Sequence, residues 1–237
     1  LNNVKDYSGG SMQEKLTDYA EIEISRDEID RALKRAADLI RTRVDYKYIL
    51  ILLFLKRLSD EWKIEYKNAV VKLMQEGLGE EGAKELAKDQ SFNRFNYPEK
   101  YTWDKLRENI NELPIKLSEA LKLIAEKNPE LLGVVDRLDF LEFTRHKENF
   151  EILKQLFELF SGLQLGNASP DVLGDSYEWI LRYFAPQKAK EGEVYTPREV
   201  VRLLVELLNP QPKDEVYDPA VGSGGMLIAS YYHVKER

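Results

Sequence analysis

Chemistry in this sequence of 237 residues gathers around Asp218-Pro-Ala-Val-Gly-Ser-Gly-Gly225, which follows a short β-type run, Glu215-Val-Tyr217, and leads into a helical pattern from Met226. An acid at the end of a strand, then a turn with Gly222, Gly224 and Gly225, lets backbone come close to a ligand. The N-terminus of the following helix favours a carboxylate or phosphate at the same place. Taken alone, such a loop can equally be a structural tight turn. A P-loop is excluded because no Gly-Lys-Ser/Thr closes it, and the six-residue dinucleotide fingerprint is excluded because Gly222-Ser-Gly-Gly-Met-Leu227 has Leu at its last position. His146 and His233 have no metal-ligand company, and the chain has no cysteine, so no metal site, disulfide or zinc finger is expected.

A second well-specified point lies upstream, at Thr196-Pro-Arg-Glu199. Thr196 as N-cap, Pro197 at the first helical position and Glu199 three residues on predict a helix to about Leu208, stopped by Asn209-Pro-Gln-Pro212. Another helix is predicted from Asp171 to Phe184, leading into a charged linker, Gln187-Lys-Ala-Lys-Glu-Gly192. Helix, strand, glycine turn and helix together read as the opening of an α/β domain. A lone strand cannot make a parallel sheet, so this domain is expected to be cut off near its beginning, in a chain that is the amino-terminal portion of a longer protein.

The residues before this point read as a helical bundle. Ser25-Arg-Asp-Glu28 makes a capping box, Ile24 can staple onto Ile29, and Ile29, Leu33, Ala36, Ala37 and Ile40 follow helical spacing. A helix from about Asp45 to Lys72 carries the apolar run Tyr48-Ile-Leu-Ile-Leu-Leu-Phe-Leu55, then Trp62 and Tyr66, and its continuous hydrophobicity places it at the centre. Further helical patterns cover Glu80 to Lys88, Trp103 to Lys127, Val134 to Asp139 and Glu148 to Phe160, with a loop at Ser91 to Tyr101. Residues 1–20 read as a poorly ordered leader, residues 21–165 as the helical domain and residues 166–237 as the start of the α/β domain, with the boundary in the Gly-, Asn- and Ser-rich stretch Gly162 to Pro170. The fold class is therefore mainly α: an N-terminal helical bundle, then the first elements of a truncated Rossmann-like α/β domain.

Thirty-five basic against forty-two acidic residues leave a net charge of −7, so no global positive field holds nucleic acid, and any DNA contact must be local or shared with a partner. The longest apolar run is eight residues, far short of the ~20 that a membrane helix needs, so no membrane partner is expected. The basic stretch Arg41-Thr-Arg-Val-Asp-Tyr-Lys47, with Lys34, Arg35, Lys56 and Arg57, reads either as a solvated helix face or as a DNA or partner contact. Phe92, Arg94, Phe95, Tyr97 and Tyr101 can stack on bases, though aromatic residues in a loop more often anchor it to its own domain.

Gly192-Glu-Val-Tyr-Thr-Pro197, followed about twenty residues later by Asp218-Pro-Ala-Val-Gly-Ser-Gly-Gly-Met-Leu227, resembles the adenine-N6 DNA methyltransferases and, within them, the methylation (M) subunit of type I restriction-modification systems. Ile29 to Ile40 and Tyr48 to Asp60 are similar to that family's N-terminal helical domain, and Asp171-Val-Leu-Gly-Asp-Ser-Tyr-Glu-Trp179 extends the match. The resemblance implies that Glu193, Val194, Tyr195, Thr196, Pro197 and Arg198, with Asp218, Ala220, Gly222, Ser223 and Gly224, hold the methionine end of S-adenosyl-L-methionine. Val221 stands where the family often has Cys or Ala, a change tolerated where backbone does the binding. The family's Asn-Pro-Pro-aromatic motif, which accepts the adenine amino group and stacks on the flipped base, has no match after Gly225. Asn209-Pro-Gln-Pro212 lies before the strand, lacks the aromatic residue and serves as a helix stop. No catalytic residue is therefore assigned within this chain.

The resemblance implies that the full-length parent is a DNA adenine-N6 methyltransferase of the cytoplasm. Its implied partners are DNA, a DNA-specificity subunit that reads the target sequence and, in the full complex, a restriction subunit. The alternatives are a non-catalytic helical interaction module that docks a partner protein, and a solitary adenine methyltransferase with its own recognition domain. The 237-residue chain by itself is expected to transfer no methyl group. Incubating the purified chain with labelled cofactor and DNA checks this, and label in adenine contradicts it.

Overall fold

The computed structural model describes residues 24–40, 44–168, 170–190, 196–222 and 224–236. The chain divides into two compact units, Leu1–Tyr177 and Glu178–Arg237. The fold is mainly α, and among the described residues there is no strand.

In the first unit, α1 (Arg26–Ile40) starts where its cap is: Ser25 Oγ accepts the Glu28 N–H at 3.3 Å, and Ile24 and Ile29 are both buried. The centre of the unit is α2 (Lys47–Gln75), which buries Ile49, Leu52, Leu55 and Leu58 on successive turns and Trp62 beyond them. Asp45 Oδ1 caps the approach by accepting the Lys47 N–H at 2.9 Å. A short charged helix, α3 (Glu80–Leu86), packs Ala83 and the following Ala87 onto Ala69, Val70 and Leu73 near the end of α2. Then come α4 (Trp103–Arg107), α5 (Leu113–Lys127), α6 (Phe140–Phe143) and α7 (Lys147–Ser161). Both α1 and α2 pack on α7, whose Leu153, Leu156, Phe157 and Phe160 are buried.

Trp103 ties three of these helices together. Its ring stacks on Phe157 with centroids 4.1 Å apart, its Nε1 donates to Ser161 Oγ at 2.8 Å, and its backbone N–H donates to Ser59 Oγ at 2.7 Å. The loop before it is anchored rather than offered to a ligand. Tyr97 and Tyr101 are buried, the Tyr97 hydroxyl donates to the Tyr101 carbonyl at 2.8 Å, and burial pushes the Tyr97 phenol well above its ordinary range.

Two predicted helices differ from what forms. The pattern from Trp103 to Lys127 is broken by a 3₁₀ turn at Ile110–Glu112, because Pro114 has no N–H and is tolerated only in the first turn of a new helix, α5. The pattern from Val134 to Asp139 forms turns instead. Gly133 has φ +75° and its N–H donates to Asp136 Oδ1 at 2.7 Å, and Asp139 caps α6 by accepting the Leu141 N–H at 2.8 Å.

The basic residues also divide. Lys34, Arg35 and Lys47 are exposed, and Arg41 and Arg43 lie outside the described residues. Lys56 and Arg57 are not part of a solvated face: both turn inward. Lys56 Nζ is paired with Asp60, at side-chain exposures of 6% and 11%, and Arg57 donates to the Leu165 carbonyl. Asp60 Oδ2 also accepts the Leu165 N–H at 2.9 Å, so one turn of α2 grips both polar groups of Leu165. Burial pushes the Lys56 ammonium down from its ordinary range, against the pull of the Asp60 charge. The chain after α7 thus returns to α2, and Gly166 is seated so close that an added Cβ would lie 3.0 Å from the Asp60 carbonyl oxygen.

Removing Asp60 leaves a buried ammonium without its counter-charge and a backbone N–H without its acceptor. Asp60→Ala is expected to destabilise the first unit by about 3 kcal/mol in chemical denaturation. Lys56→Met combined with Asp60→Leu should recover all but about 1 kcal/mol of that. A cost for Asp60→Ala below about 0.5 kcal/mol, the scale of a neutral surface change, would show that the grip on Leu165 contributes nothing to folding.

Candidate functional site

The second unit contains the later part of α8 (Pro170–Lys190), then α9 (Arg198–Leu208) and α10 (Gly225–Lys235). Helix α8 does not stop at Phe184: it continues through Pro186 to Lys190, where a charged linker was predicted. A proline inside a helix withholds one N–H and crowds the carbonyl four residues back, which bends a helix without having to end it.

The first motif is placed at the start of α9. Glu193, Val194 and Tyr195 lie outside the described residues. Thr196 is exposed and is not the helix cap. Pro197 holds that position with φ −57° and ψ 144°, and its carbonyl accepts the first helical bond, from the Val201 N–H at 3.0 Å. A proline has no side-chain oxygen, so the predicted capping box does not form. Glu199 instead lies 4.0 Å from Arg182, and Arg198 lies 3.9 Å from Glu178. Both residues that begin α9 are therefore held by charges on α8.

Helix α9 ends as its sequence requires. Asn209 adopts the left-handed conformation, φ 47°, and its N–H donates to the Val205 carbonyl at 2.8 Å. Gln211 and Asp214 then close a polar turn: the Gln211 N–H donates to Asp214 Oδ2 at 2.8 Å and the Asp214 N–H to the Gln211 carbonyl at 3.0 Å. Asn209-Pro-Gln-Pro212 is thus a stop and a turn. The predicted strand Glu215–Tyr217 is not formed as a strand, because a strand is defined by a bonded neighbour and among the described residues none pairs with it.

The glycine loop is a wound turn made by backbone. Asp218 Oδ1 accepts the Ala220 N–H at 2.9 Å, the Gly224 N–H donates to the Val221 carbonyl at 2.7 Å, and the Gly224 carbonyl accepts the Ile228 N–H at 2.9 Å, which starts α10. Gly222 has φ +50° and Gly224 φ +81°, a region that side chains with a Cβ rarely enter. Crowding is not the reason for these glycines. A Cβ on Gly224 would meet nothing closer than Ile228 Cδ1 at 3.8 Å, and one on Gly222 nothing closer than the Ala220 carbonyl at 3.7 Å. The loop needs glycine for its winding, and Gly222 is exposed. Ser223 lies outside the described residues.

Helices α9 and α10 pack on each other, and their C-terminal ends meet. His233 Nε2 lies 3.1 Å from Asn209 Oδ1, and Nδ1 lies 3.4 Å from Glu206 Oε1, with the His233 side chain only 6% exposed. Eight residues, about 12 Å at the helical rise, separate Val201 from Asn209 and Gly225 from His233. The two helices therefore meet near their C-terminal ends, with Thr196, Pro197 and Arg198 at the start of one and Asp218, Ala220, Gly222 and Gly224 leading into the other. Sequence reasoning passed over His233, because its partners are twenty-four and twenty-seven positions away and no local pattern marks them.

Residues 29–160 match the family model of the HsdM N-terminal domain, and residues 168–237 match that of N-6 DNA methylase. The MjaVII and MjaVIII methylase subunits of type I restriction enzymes from Methanocaldococcus jannaschii are each 41% identical to this chain, over 90% and 88% of it. The matched regions are 37% and 36% of those proteins, so the chain spans little more than a third of their length. The EcoKI methylase subunit from Escherichia coli is 29% identical over 59% of this chain and 27% of its own. A crystal structure of a type I restriction-modification system methyltransferase subunit from Streptococcus thermophilus covers 89% of this chain and 50% of that one, with a TM-score of 0.65 at 20% identity, and so shows a shared fold.

Gly224→Val places a β-branched residue at φ +81° and is expected to cost about 1–3 kcal/mol of local stability at the start of α10. Thr196→Ala removes no cap and should stay within about 0.5 kcal/mol of the unmutated chain. Hydrogen exchange at Gly225 to Ile228 reads the first and thermal unfolding the second. Equal exchange in Gly224→Val and the unmutated chain contradicts the winding argument.

Proposed function

Because this chain belongs to the family of type I restriction-modification methylation subunits, we propose that it forms the amino-terminal helical domain and the opening of the methyltransferase domain of a DNA adenine-N6 methyltransferase. The observation that supports the reading is a glycine loop whose Gly222 and Gly224 take left-handed backbone at the start of α10, a helix that packs on the one that Thr196, Pro197 and Arg198 open.

The residues present suit S-adenosyl-L-methionine. The amino end of α10 offers the positive end of a helix dipole to a carboxylate, the exposed Gly222 lets a ligand reach backbone, and Asp218 supplies a negative charge for an ammonium group. These are the charges of the methionine end of the cofactor. Thr196 and Pro197, with Glu193, Val194, Tyr195 and Ser223, complete the proposed binding set. Arg198 contributes by holding the start of α9 against Glu178. Bound, the cofactor supplies a methyl group on a sulfonium sulfur, open to displacement by the adenine N6. The chain's own part is to orient that group, which supplies rate by fixing geometry.

With a net charge of −7, the proposed route to DNA runs through partners. A DNA-specificity subunit would read the sequence, and a restriction subunit would join the full complex, in the cytoplasm beside the DNA it modifies. Among the described residues no helix is long and apolar enough to cross a membrane.

The full-length subunit with its specificity subunit is expected to place labelled methyl on adenine N6 of the DNA, and label confined to cytosine, or none, overturns the reading. In the same protein, Gly224→Val should weaken S-adenosylmethionine binding tenfold or more, about 1.4 kcal/mol, in titration calorimetry. Thr196→Ala should do less.

A further inference from the structure

His233 is a buried polar side chain that the proposed chemistry does not use. It sits on α10 two turns past the glycine loop, and both of its ring nitrogens face oxygen atoms of α9, Asn209 Oδ1 at 3.1 Å and Glu206 Oε1 at 3.4 Å. Asn209 is fixed by its own role. It is the left-handed cap of α9, and its carbonyl accepts from Gln211 Nε2 at 2.9 Å, which holds the turn that leads on toward the loop. A ring N–H given to an oxygen on a fixed cap sets both the rotation of α10 about its axis and its slide along α9. Apolar packing does this poorly here: Val201 and Val205 are the buried residues of α9, while the apolar residues of α10 surround it on every side, and none of them is buried. A helix that is apolar all round has no preferred face, so a directional polar contact is what gives it one.

Rotation and slide of α10 decide where its amino end points, and that end is the glycine loop. We infer that His233 is a positioning residue of the cofactor site, which acts through Asn209 and Glu206 to hold α10, and with it the loop at Asp218 to Gly224, in place against α9. The inference rests on the proposed function for its ligand but not for its structural content. It concerns a residue about 12 Å along the helix from the loop, too far to touch what the loop holds.

The test has two arms. In the 237-residue chain, amide exchange across Asp218 to Ile228 is expected to rise roughly tenfold in His233→Ala, with α2 unchanged. His233→Gln keeps a donor for Asn209 and should restore most of the protection. Asn209→Gly keeps the left-handed cap and removes the side chain with its accepting oxygen, so it should shift the loop in the same direction as His233→Ala and guards against a variant that simply misfolds. In the full-length subunit, His233→Ala should weaken S-adenosylmethionine binding roughly tenfold, with rescue by His233→Gln. Faster exchange confined to Tyr231–Lys235, with the loop unchanged in both His233→Ala and Asn209→Gly, overturns the inference. If the unmutated full-length subunit does not bind S-adenosylmethionine, the proposed function falls, while the exchange arm still decides the role of His233.

Discussion

One carboxylate organises the larger unit. Asp60 sits on the buried middle of α2, where an unpaired charge is costly, and it is surrounded by what an acid in that place requires: the Lys56 ammonium and the Leu165 N–H. The same turn of α2 presents Arg57 to the Leu165 carbonyl. Everything between the two partners must fit in the space this closure leaves. The contact joins residues 105 positions apart, and the segment between them holds α3 to α7. Ser59, beside Asp60 in the chain, receives the Trp103 N–H, so a further constraint on that segment falls on the adjacent residue of the same helix.

The second unit is organised on a smaller scale by a different kind of contact. Two short helices with much exposed apolar surface, among it Leu203, Leu207, Ile228 and Tyr231, have too few buried side chains to fix their alignment by packing. Polar contacts at their ends do it instead. Arg198 and Glu199 meet charges on α8 at one end, and His233 meets Asn209 and Glu206 at the other. The ion pairs on the exposed side are each worth little in water, whereas the His233 ring, being buried, forfeits more if its partner is lost.

Much of the helical unit was legible because its signals are local. Ser25 caps α1, the apolar run Tyr48 to Leu55 lies in the buried central helix, and Asn209 stops α9 as a residue before proline that tolerates the left-handed conformation. The motifs of the candidate site were legible for a related reason: a glycine loop between an acid and a helix carries its geometry in consecutive residues, and Gly222 and Gly224 take the positive φ that such a loop needs. Where local reading failed, two local signals competed. Periodicity continued across Ile110 to Pro114, but the proline decided that the helix begins afresh. Thr196 was a good cap by type, yet Pro197 already provided the first helical carbonyl.

What the sequence by itself determined, then, is which residues form helices, which apolar residues turn inward, and which family the motifs belong to, since each of these follows from residues within a turn or two of one another. Only the tertiary structure decided the fate of the polar residues. Lys56 and Arg57 looked like surface charge until Asp60 and Leu165 were seen to take them inward, and His233 looked idle until Asn209 and Glu206 were seen to meet it. The physical reason is that a polar side chain has no fixed place of its own. Its environment follows from the donor or acceptor it meets, and for Arg57 and His233 that partner is an atom from a distant part of the chain, brought near only by the packing of everything between.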